Sequence, residues 1–194
     1  MDPRLGDPSK TTGASDTERR WLLAFQHGDA AAFQPLVRPH LGALLTLARR
    51  HCRDRHWADD LVQETLVRAF RGLLAFRGEA ALRTWLFRIL VRLASEPSRW
   101  QRRDPAMPLE IDVPDHFAEP VGTGAMTQEL QQRLDAALER LPVRQRSALH
   151  LRAVEGMDYA AIAGVLECTP AAARMLVLEA RRKVLARMQE HLEP

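Results

Sequence analysis

Acidic and amide side chains cluster near the start of one helical segment, WADDLVQETLVRAF. The cluster comprises Asp59, Asp60, Gln63 and Glu64, all within six residues. Carboxylates in the first turn of a helix stabilise the helix dipole, and that effect alone can explain their position. Four acidic or amide groups this close together also form a compact surface that suits a basic protein partner. The pattern leaves both explanations open.

A basic helix that carries a tryptophan follows a short Arg-Gly turn at residues 77–78. Trp85 lies among arginines on one side of this helix, and an aromatic ring among guanidinium groups is a platform on which single-stranded bases stack. An ordinary solvated helix face has the same charge pattern, which is the alternative. Pro97 predicts that the basic side bends or restarts there, because proline removes a helical hydrogen bond. The arginines concerned are Arg88, Arg92, Arg99, Arg102 and Arg103.

Two amphipathic helices must position these side chains. The first is predicted over residues 57–74, because apolar residues recur there at the helical period. Its core positions are Val62, Leu66, Ala69, Phe70 and Leu73. The second is predicted to begin near residue 80, with Leu86, Ile89, Leu90 and Leu93 toward the core. The sequence has no alternating run rich in Val, Ile and aromatic residues, so it predicts an all-α protein.

Composition excludes some classes of protein. The 194 residues are 46% hydrophobic, which is enough to bury one core or two small ones. The net charge of +3 is too small to indicate nucleic-acid binding by itself. Apolar stretches such as residues 41–45 are too short to cross a bilayer, and no signal segment follows the N-terminus. We therefore expect a soluble, cytoplasmic protein without membrane insertion, in which Cys52 and Cys168 are reduced thiols.

The chain is predicted to form two small helical domains. Residues 1–15 are polar and rich in Pro, Gly, Ser and Thr, which predicts a disordered tail. Residues 16–103 form the first domain. Residues 104–126 contain prolines, glycines and carboxylates, and residues 104–124 contain no Lys or Arg, so this segment is predicted to be an acidic linker. Residues 127–190 form the second domain.

The second domain has the pattern of a helix-turn-helix. Leu141-Pro142 suits a helix start, and Glu155-Gly156 suits its exit. Asp158 is the expected cap of YAAIAGVL, and Thr169-Pro170 opens a last helix whose basic end is RRK at residues 181–183. This arrangement favours a DNA-binding helix-turn-helix, with an ordinary α-helical bundle as the alternative.

The order of these motifs resembles a known family. ADDLVQETLVRAF, then FRG and RTWLFRI, then an acidic linker, then LERLP and VEGMDYAAIA resemble the bacterial sigma factors of the extracytoplasmic-function group. The resemblance implies a transcription initiation factor whose partners are core RNA polymerase, promoter DNA and an anti-sigma factor. It implies that the first domain binds the polymerase and melts the minus-ten element, and that the second reads the minus-thirty-five element.

The resemblance also implies roles for individual residues. Asp59, Asp60, Gln63 and Glu64 match the segment that binds the polymerase clamp. Gly78, with Arg77 and Glu79 beside it, matches the loop that holds a flipped-out base, where glycine permits close backbone approach. The other residues implied to contact DNA are Arg83, Trp85, Arg88, Arg92, Arg99, Arg102 and Arg103 in the first domain, and Ala172, Arg174, Met175, Leu178, Arg181 and Arg182 in the second.

The sequence departs from the family pattern in both domains. Arg92 stands where the family usually has Asn, and Pro97 interrupts the run toward the basic end. The last helix reads AAARMLVLE where the family has hydroxyl and guanidinium groups, and each lost phosphate contact lowers DNA affinity. We expect the second domain to bind the minus-thirty-five element weakly. Met175 and Leu178, if exposed, can contact thymine methyl groups or another protein.

Other candidate sites are weaker. His51, Cys52 and His56 are metal-binding residue types within six positions, but they lack a fourth ligand nearby, so no metal is expected. The sequence contains no nucleophile elbow, phosphate loop or paired catalytic acids, which predicts a protein that is not an enzyme and needs no cofactor. The alternative functions are a simple helix-turn-helix regulator and a sigma-like adaptor or decoy with weak DNA binding.

Overall fold

The computed structural model describes residues 15–52, 54–96 and 125–189, with side chains described from residue 128 onward in the last range. These ranges are helical and contain no strand, which confirms the all-α prediction. The predicted tail and linker lie outside the described residues, apart from residue 15 and residues 125–126. Arg99, Arg102 and Arg103 also lie outside them.

The N-terminal half contains five α-helices within its described ranges. They are α1 (Asp16–Gln26), α2 (Phe33–Val37), α3 (Leu41–His51), α4 (Arg55–Gly72) and α5 (Leu82–Ser95), and 3₁₀ turns precede α2 and α3 and follow α4. Ser15 caps α1 by accepting a hydrogen bond from the Glu18 amide at 3.1 Å. The two central helices, α4 and α5, lie at the positions that the apolar spacing predicts, with ends that differ by about two residues.

The buried faces of α4 and α5 are those expected from the sequence. Val62, Leu66, Ala69 and Leu73 are buried on α4, and Leu86, Leu90 and Leu93 are buried on α5. Phe70 and Ile89 are only partly buried. The Phe70 ring packs edge-on against Phe25 and Phe33, with centroids 5.1 Å apart in both pairs. This cluster joins α4 to α1 and α2, and aromatic pairs of this geometry contribute more than their buried area alone.

The C-terminal half contains α6 (Ala125–Glu139), α7 (Val143–Ala153), α8 (Tyr159–Leu166) and α9 (Pro170–Gln189). Asp158 caps α8 by accepting from the Ala161 amide at 2.7 Å, and the Thr169 hydroxyl caps α9 by accepting from the Ala172 amide at 3.2 Å. Glu167 ends α8 in the left-handed conformation, with φ of 51°. The axes of α8 and α9 differ by 94°, which confirms the predicted helix-turn-helix.

The two halves share one hydrophobic core. A continuous cluster of buried side chains runs from Phe25 in α1 to Val177 in α9. The main contact between the two halves is that of α5 with α8. Next to it, α7 packs against α3 and α5. A second, smaller cluster of Ala137, Leu141, Ala180 and Val184 lies within the C-terminal half. The C-terminal half therefore lies directly on the side of the N-terminal half that α5 provides.

No single helix in the described ranges is both long and apolar enough to cross a membrane. Only α8 and α9 taken together meet that criterion, and they form the bent helix-turn-helix pair.

Candidate functional site

The acidic patch, which we define as Asp59, Asp60, Gln63 and Glu64, lies on the outer side of α4. Asp60 is exposed and the other three side chains are partly exposed. Glu64 accepts a hydrogen bond from Arg68 Nε at 2.7 Å, one helical turn further along. The opposite side of the same turns carries the buried residues Leu61, Val62 and Thr65. The helix period thus separates a core face from an acidic surface accessible to a partner.

The position at which α4 begins excludes the helix dipole as the explanation for the acidic patch. Asp54 is the N-cap and accepts from the His56 amide at 2.7 Å, so the helix begins at Arg55 and has no acidic residue in its first turn. Asp59 and Asp60 therefore lie in the second turn, where the helix dipole contributes little because its effect decays within the first. The helix-dipole interpretation of these carboxylates is wrong, and the interpretation as a partner surface is favoured.

The loop between α4 and α5 is held by a side chain from α1. Gln26 Nε2 donates to the carbonyl oxygens of Phe76 at 2.9 Å and Leu73 at 3.4 Å. Beyond this anchor, Arg77, Gly78 and Glu79 are all exposed. Gly78 has a φ of +73°, in the region that only glycine adopts without strain. The loop is thus fixed at its base and open at its tip.

Trp85 lies beside this loop and is half buried. Its ring centroid is 5.1 Å from that of Phe76, and the ring packs against Gly72 at the end of α4. A Cβ atom at Gly72 would come within 3.2 Å of Trp85 Cζ2, so the absence of a side chain there permits the observed ring position. The sequence did not predict this role of Gly72 or the role of Gln26, because both contacts join separate helices.

The basic side of α5 is divided between solvent and the C-terminal half. Arg92 is exposed. Arg88 Nε donates to the carbonyl oxygen of Gly164 in α8 at 2.7 Å. Arg83 forms an ion pair with Glu155, whose side chain is only 8% exposed. Two of the arginines predicted to contact DNA, Arg83 and Arg88, are therefore bonded to the C-terminal half, because α7 and α8 pack against this part of α5.

The recognition helix, α9, shows a clear division between its faces. Ala173, Val177, Ala180 and Val184 are buried. Glu179 accepts from Gln145 Nε2 at 2.8 Å, so its carboxylate is directed toward α7. Met175 and Leu178 are 52% and 45% exposed. The residues predicted to contact DNA, all of them exposed, are Ala172, Arg174, Met175, Leu178, Arg181 and Arg182.

A polar seam also joins the two halves around the end of α3. His51 Nε2 is 3.0 Å from Ser147 Oγ, and Arg146 Nη1 donates to the carbonyl oxygen of Arg50 at 2.7 Å. Burial, with Arg146 and His150 nearby, lowers the pKa of His51 to about 3, so the imidazole is neutral in the fold. His51 is thus part of the interdomain packing, and no group of residues within the described ranges is arranged to hold a metal ion.

Two family models match the chain in the order of its two halves. Residues 36–104 match Sigma-70 region 2, and residues 131–184 match Sigma-70, region 4. The RNA polymerase sigma-H factor of Pseudomonas aeruginosa is 31% identical over 178 residues, which cover 87% of this chain and 92% of that protein. The chain belongs to the extracytoplasmic-function group of sigma-70-like RNA polymerase sigma factors. It is a transcription initiation factor that directs the polymerase to promoters.

Further relatives of this sigma factor agree with that membership. The extracytoplasmic-function RNA polymerase sigma-E factor of Escherichia coli is 31% identical over 185 residues, covering 89% of this chain and 95% of that protein. Among solved structures, CnrH in complex with the cytosolic domain of CnrY matches 90% of this chain and 99% of that chain, with a TM-score of 0.66 and 25% identity. The sigma factor RpoE of Bartonella quintana, solved with the anti-sigma factor NepR, matches 81% of this chain and 96% of that chain with a TM-score of 0.61 and 26% identity.

Proposed function

We propose that the acidic patch on α4 is the surface through which this sigma factor binds core RNA polymerase. The observation that carries this proposal is the exposure of Asp60 with partly exposed neighbours, at positions the helix dipole does not explain. A compact set of carboxylates provides orientation and a fast association rate toward a basic partner. The patch and α5 lie on adjacent helices, so a polymerase bound to α4 holds α5 near the DNA.

The loop after α4 and the exposed parts of α5 bind the melted minus-ten strand in this proposal. Gly78 allows a nucleotide to approach the backbone closely, and Arg77 and Glu79 offer polar groups beside it. Trp85, held by Gly72 and Phe76, provides an aromatic surface near the same loop. Arg83, Arg88 and Arg92 provide positive charge for the backbone, and Arg99, Arg102 and Arg103 extend the basic segment in sequence.

The recognition helix binds the minus-thirty-five duplex weakly in this proposal. Its exposed face carries Arg174, Arg181 and Arg182, which suit phosphate contacts, around an apolar centre of Met175 and Leu178. An apolar centre forms few hydrogen bonds to base edges. We accordingly assign promoter melting to residues 16–103, a linker to residues 104–126 and duplex reading to residues 127–190, with residues 1–15 as a tail.

The protein acts in the cytoplasm and catalyses no reaction of its own in this proposal. The solved relatives CnrH and RpoE were each determined with a second protein, and NepR is an anti-sigma factor. We infer that an anti-sigma factor also binds this chain. The exposed Met175, Leu178 and Leu185 on α9 offer an apolar surface of the kind that protein partners cover.

Transcription in vitro tests the proposal directly. Core RNA polymerase with this protein should initiate RNA synthesis from a randomised promoter library, and sequencing of the 5′ ends should reveal enriched minus-ten and minus-thirty-five elements. We expect stronger enrichment at the minus-ten element, because the first domain has the larger set of candidate base contacts. Core polymerase alone is the control. Polymerase binding without initiation from any library member would favour the decoy function instead.

A further inference from the structure

Trp57 is an exposed aromatic residue in the first turn of α4. It is 46% exposed, whereas the two other tryptophans in the described ranges, Trp21 and Trp85, are partly buried against the hydrophobic core. Tryptophan has a large apolar surface, and leaving much of it in water gives up free energy that burial would supply. A single exposed apolar residue is nevertheless common on protein surfaces. The neighbours of Trp57 therefore have to indicate whether a partner covers it.

The start of α4 is formed by residues other than Trp57. Asp54 is the N-cap and accepts a hydrogen bond from the His56 amide at 2.7 Å. In a hydrophobic staple, the residue before the cap packs against the fourth residue of the helix, which is Ala58 here. Ala58 is buried and makes the core contact of this turn. Capping and core packing thus leave the exposed indole of Trp57 unexplained.

Trp57 lies on the same side of α4 as two carboxylates of the acidic patch. At 3.6 residues per turn, Trp57, Asp60 and Glu64 fall within an arc of about 60°, and they span about 10 Å along the helix axis. The residues between them that face the other way, such as Leu61, are buried. Glu64 accepts from Arg68 Nε at 2.7 Å, one turn further along the same side. An aromatic ring and two carboxylates therefore form one continuous surface.

This continuity indicates what covers the ring. A partner that binds Asp60 and Glu64 also meets Trp57, because the indole stands about one turn before Asp60 on the same side of the helix. Two carboxylates on this side require positive charge on the partner. Positively charged side chains also suit the ring itself, since a guanidinium or ammonium group is attracted to the face of an indole. The ring and the carboxylates thus select the same kind of partner surface.

We propose that Trp57 is the anchor residue of the interface with core RNA polymerase, with its indole inserted among basic side chains of the polymerase in an apolar recess. The proposal rests on the assignment of the acidic patch to that interface. Tryptophans are enriched among the few interface residues that carry most of the binding free energy. Charged groups beside them mainly set the association rate, and the buried aromatic ring mainly slows dissociation. Trp57 therefore determines how long the complex lasts.

Binding kinetics of Trp57→Ala test this division of roles. The labelled full-length chain binds to immobilised core polymerase at about 0.1 M and about 0.3 M salt. We expect Trp57→Ala to raise the Kd about tenfold or more through faster dissociation, with the association rate and its salt dependence close to those of the wild type. Asp60→Asn should instead slow association and reduce its salt dependence. An unchanged dissociation rate in Trp57→Ala would overturn the anchor.

Two further variants control for the loss of an exposed apolar side chain. Leu130→Ala removes a residue that is 55% exposed on α6, outside the acidic patch, and should bind like the wild type. Trp57→Phe keeps an aromatic ring and should weaken binding no more than about threefold. Urea unfolding should give Trp57→Ala nearly the stability of the wild type, since surface substitutions have small effects. A loss in Leu130→Ala as large as that in Trp57→Ala would also overturn the anchor.

Photocrosslinking gives a measurement that needs no change in affinity. A benzophenone amino acid in place of Trp57 should form a covalent product with a polymerase subunit on irradiation, and an excess of unlabelled wild type should suppress it. The same amino acid in place of Leu130 should form no such product. Absence of the product from position 57 would contradict the proposal.

The failure of this proposal differs from failure of the proposed function. If Asp60→Arg with Glu64→Arg loses affinity for the polymerase while Trp57→Ala keeps it, the anchor is wrong and the acidic patch stands. If the charge-reversed double variant binds like the wild type, the assignment of the acidic patch itself has failed.

Discussion

The acidic patch on α4 and the basic side of α5 lie on adjacent helices, yet their environments are opposite. Asp60 is exposed to solvent, whereas Arg83 and Arg88 are bonded to the C-terminal half. Both surfaces have a composition suited to binding a partner. The difference shows that charge at helical spacing identifies a surface able to bind, while the packing of distant elements determines whether that surface is accessible.

This difference suggests an order of events. A surface that is already exposed can meet its partner without a conformational change, and a covered surface must first lose its intramolecular contacts. In the proposed assignment of the two surfaces, polymerase binding through α4 therefore precedes DNA binding through α5. Three predictions test the contrast between the two surfaces, beginning with the largest expected effect.

Reversal of charge in the acidic patch should have the largest effect. Asp60→Arg with Glu64→Arg should weaken binding to core RNA polymerase about 100-fold or more, because two attractive contacts become repulsive. Binding of the labelled variant to immobilised core polymerase measures the change. Glu129→Arg, which disrupts an exposed pair on α6, should bind like the wild type. Unchanged affinity of the double variant would contradict the proposal that the acidic patch binds the polymerase.

Loss of an arginine from α5 should lower promoter-directed transcription more than loss of an arginine from α9. Arg88→Ala should lower promoter-directed transcription about fivefold to tenfold, and Arg174→Ala only about twofold, because the first domain is assigned most of the promoter contacts. Run-off transcription at one enriched promoter measures both. A larger loss from Arg174→Ala would place promoter choice in the second domain.

Acid should weaken the packing that covers α5. Burial, followed by Arg146 and His150, lowers the pKa of His51 from its ordinary value of 6.5 to about 3. The unfolded chain therefore takes up a proton that the fold excludes, so this contribution to stability is complete above pH 6.5 and is lost as the pH falls. The loss per histidine is at most about 1.4 kcal/mol per pH unit.

Urea unfolding at about pH 7 and about pH 5 measures this loss. His51→Gln retains a polar partner for Ser147 and removes the titration, so the variant should lose less stability on acidification than the wild type. His40, whose pKa is lowered to about 4 by burial and by Arg83, should account for part of the remaining loss. His56→Gln on the exposed side of α4 is the control and should behave like the wild type. Identical losses in all three proteins would exclude His51 as the source.

The sequence predicted the local structure well because its signals act over short distances. Apolar spacing located α4 and α5, and the caps Asp158 and Thr169 located α8 and α9, since a cap bonds to an amide only two or three residues ahead. The predicted placement of Asp59 and Asp60 in the first turn is wrong, because Asp54 caps the helix and moves its start to Arg55. The predicted start of α4 lies two residues too late, and this difference alone decides whether those carboxylates lie in the first or the second turn.

The candidate site was predicted only in part. The motif order predicts which residues face the polymerase and the DNA, but it gave no indication that Gln26 anchors the loop or that Gly72 accommodates the Trp85 ring. It also gave no indication that Arg83 and Arg88 bond to the C-terminal half. Local sequence identifies Glu155 only as a residue at a helix exit, although it is the buried partner of Arg83.

The sequence by itself determined the helices, the helix-turn-helix and the family of this protein, because periodicity, capping and motif order are properties of neighbouring residues. Only the tertiary structure determined which charged surfaces are free. Arg88 and Gly164 are 76 positions apart, and no local spacing relates them. Their contact exists because a shared hydrophobic core brings α5 and α8 together, and that packing places two arginines on protein oxygen atoms and leaves the acidic patch at the surface.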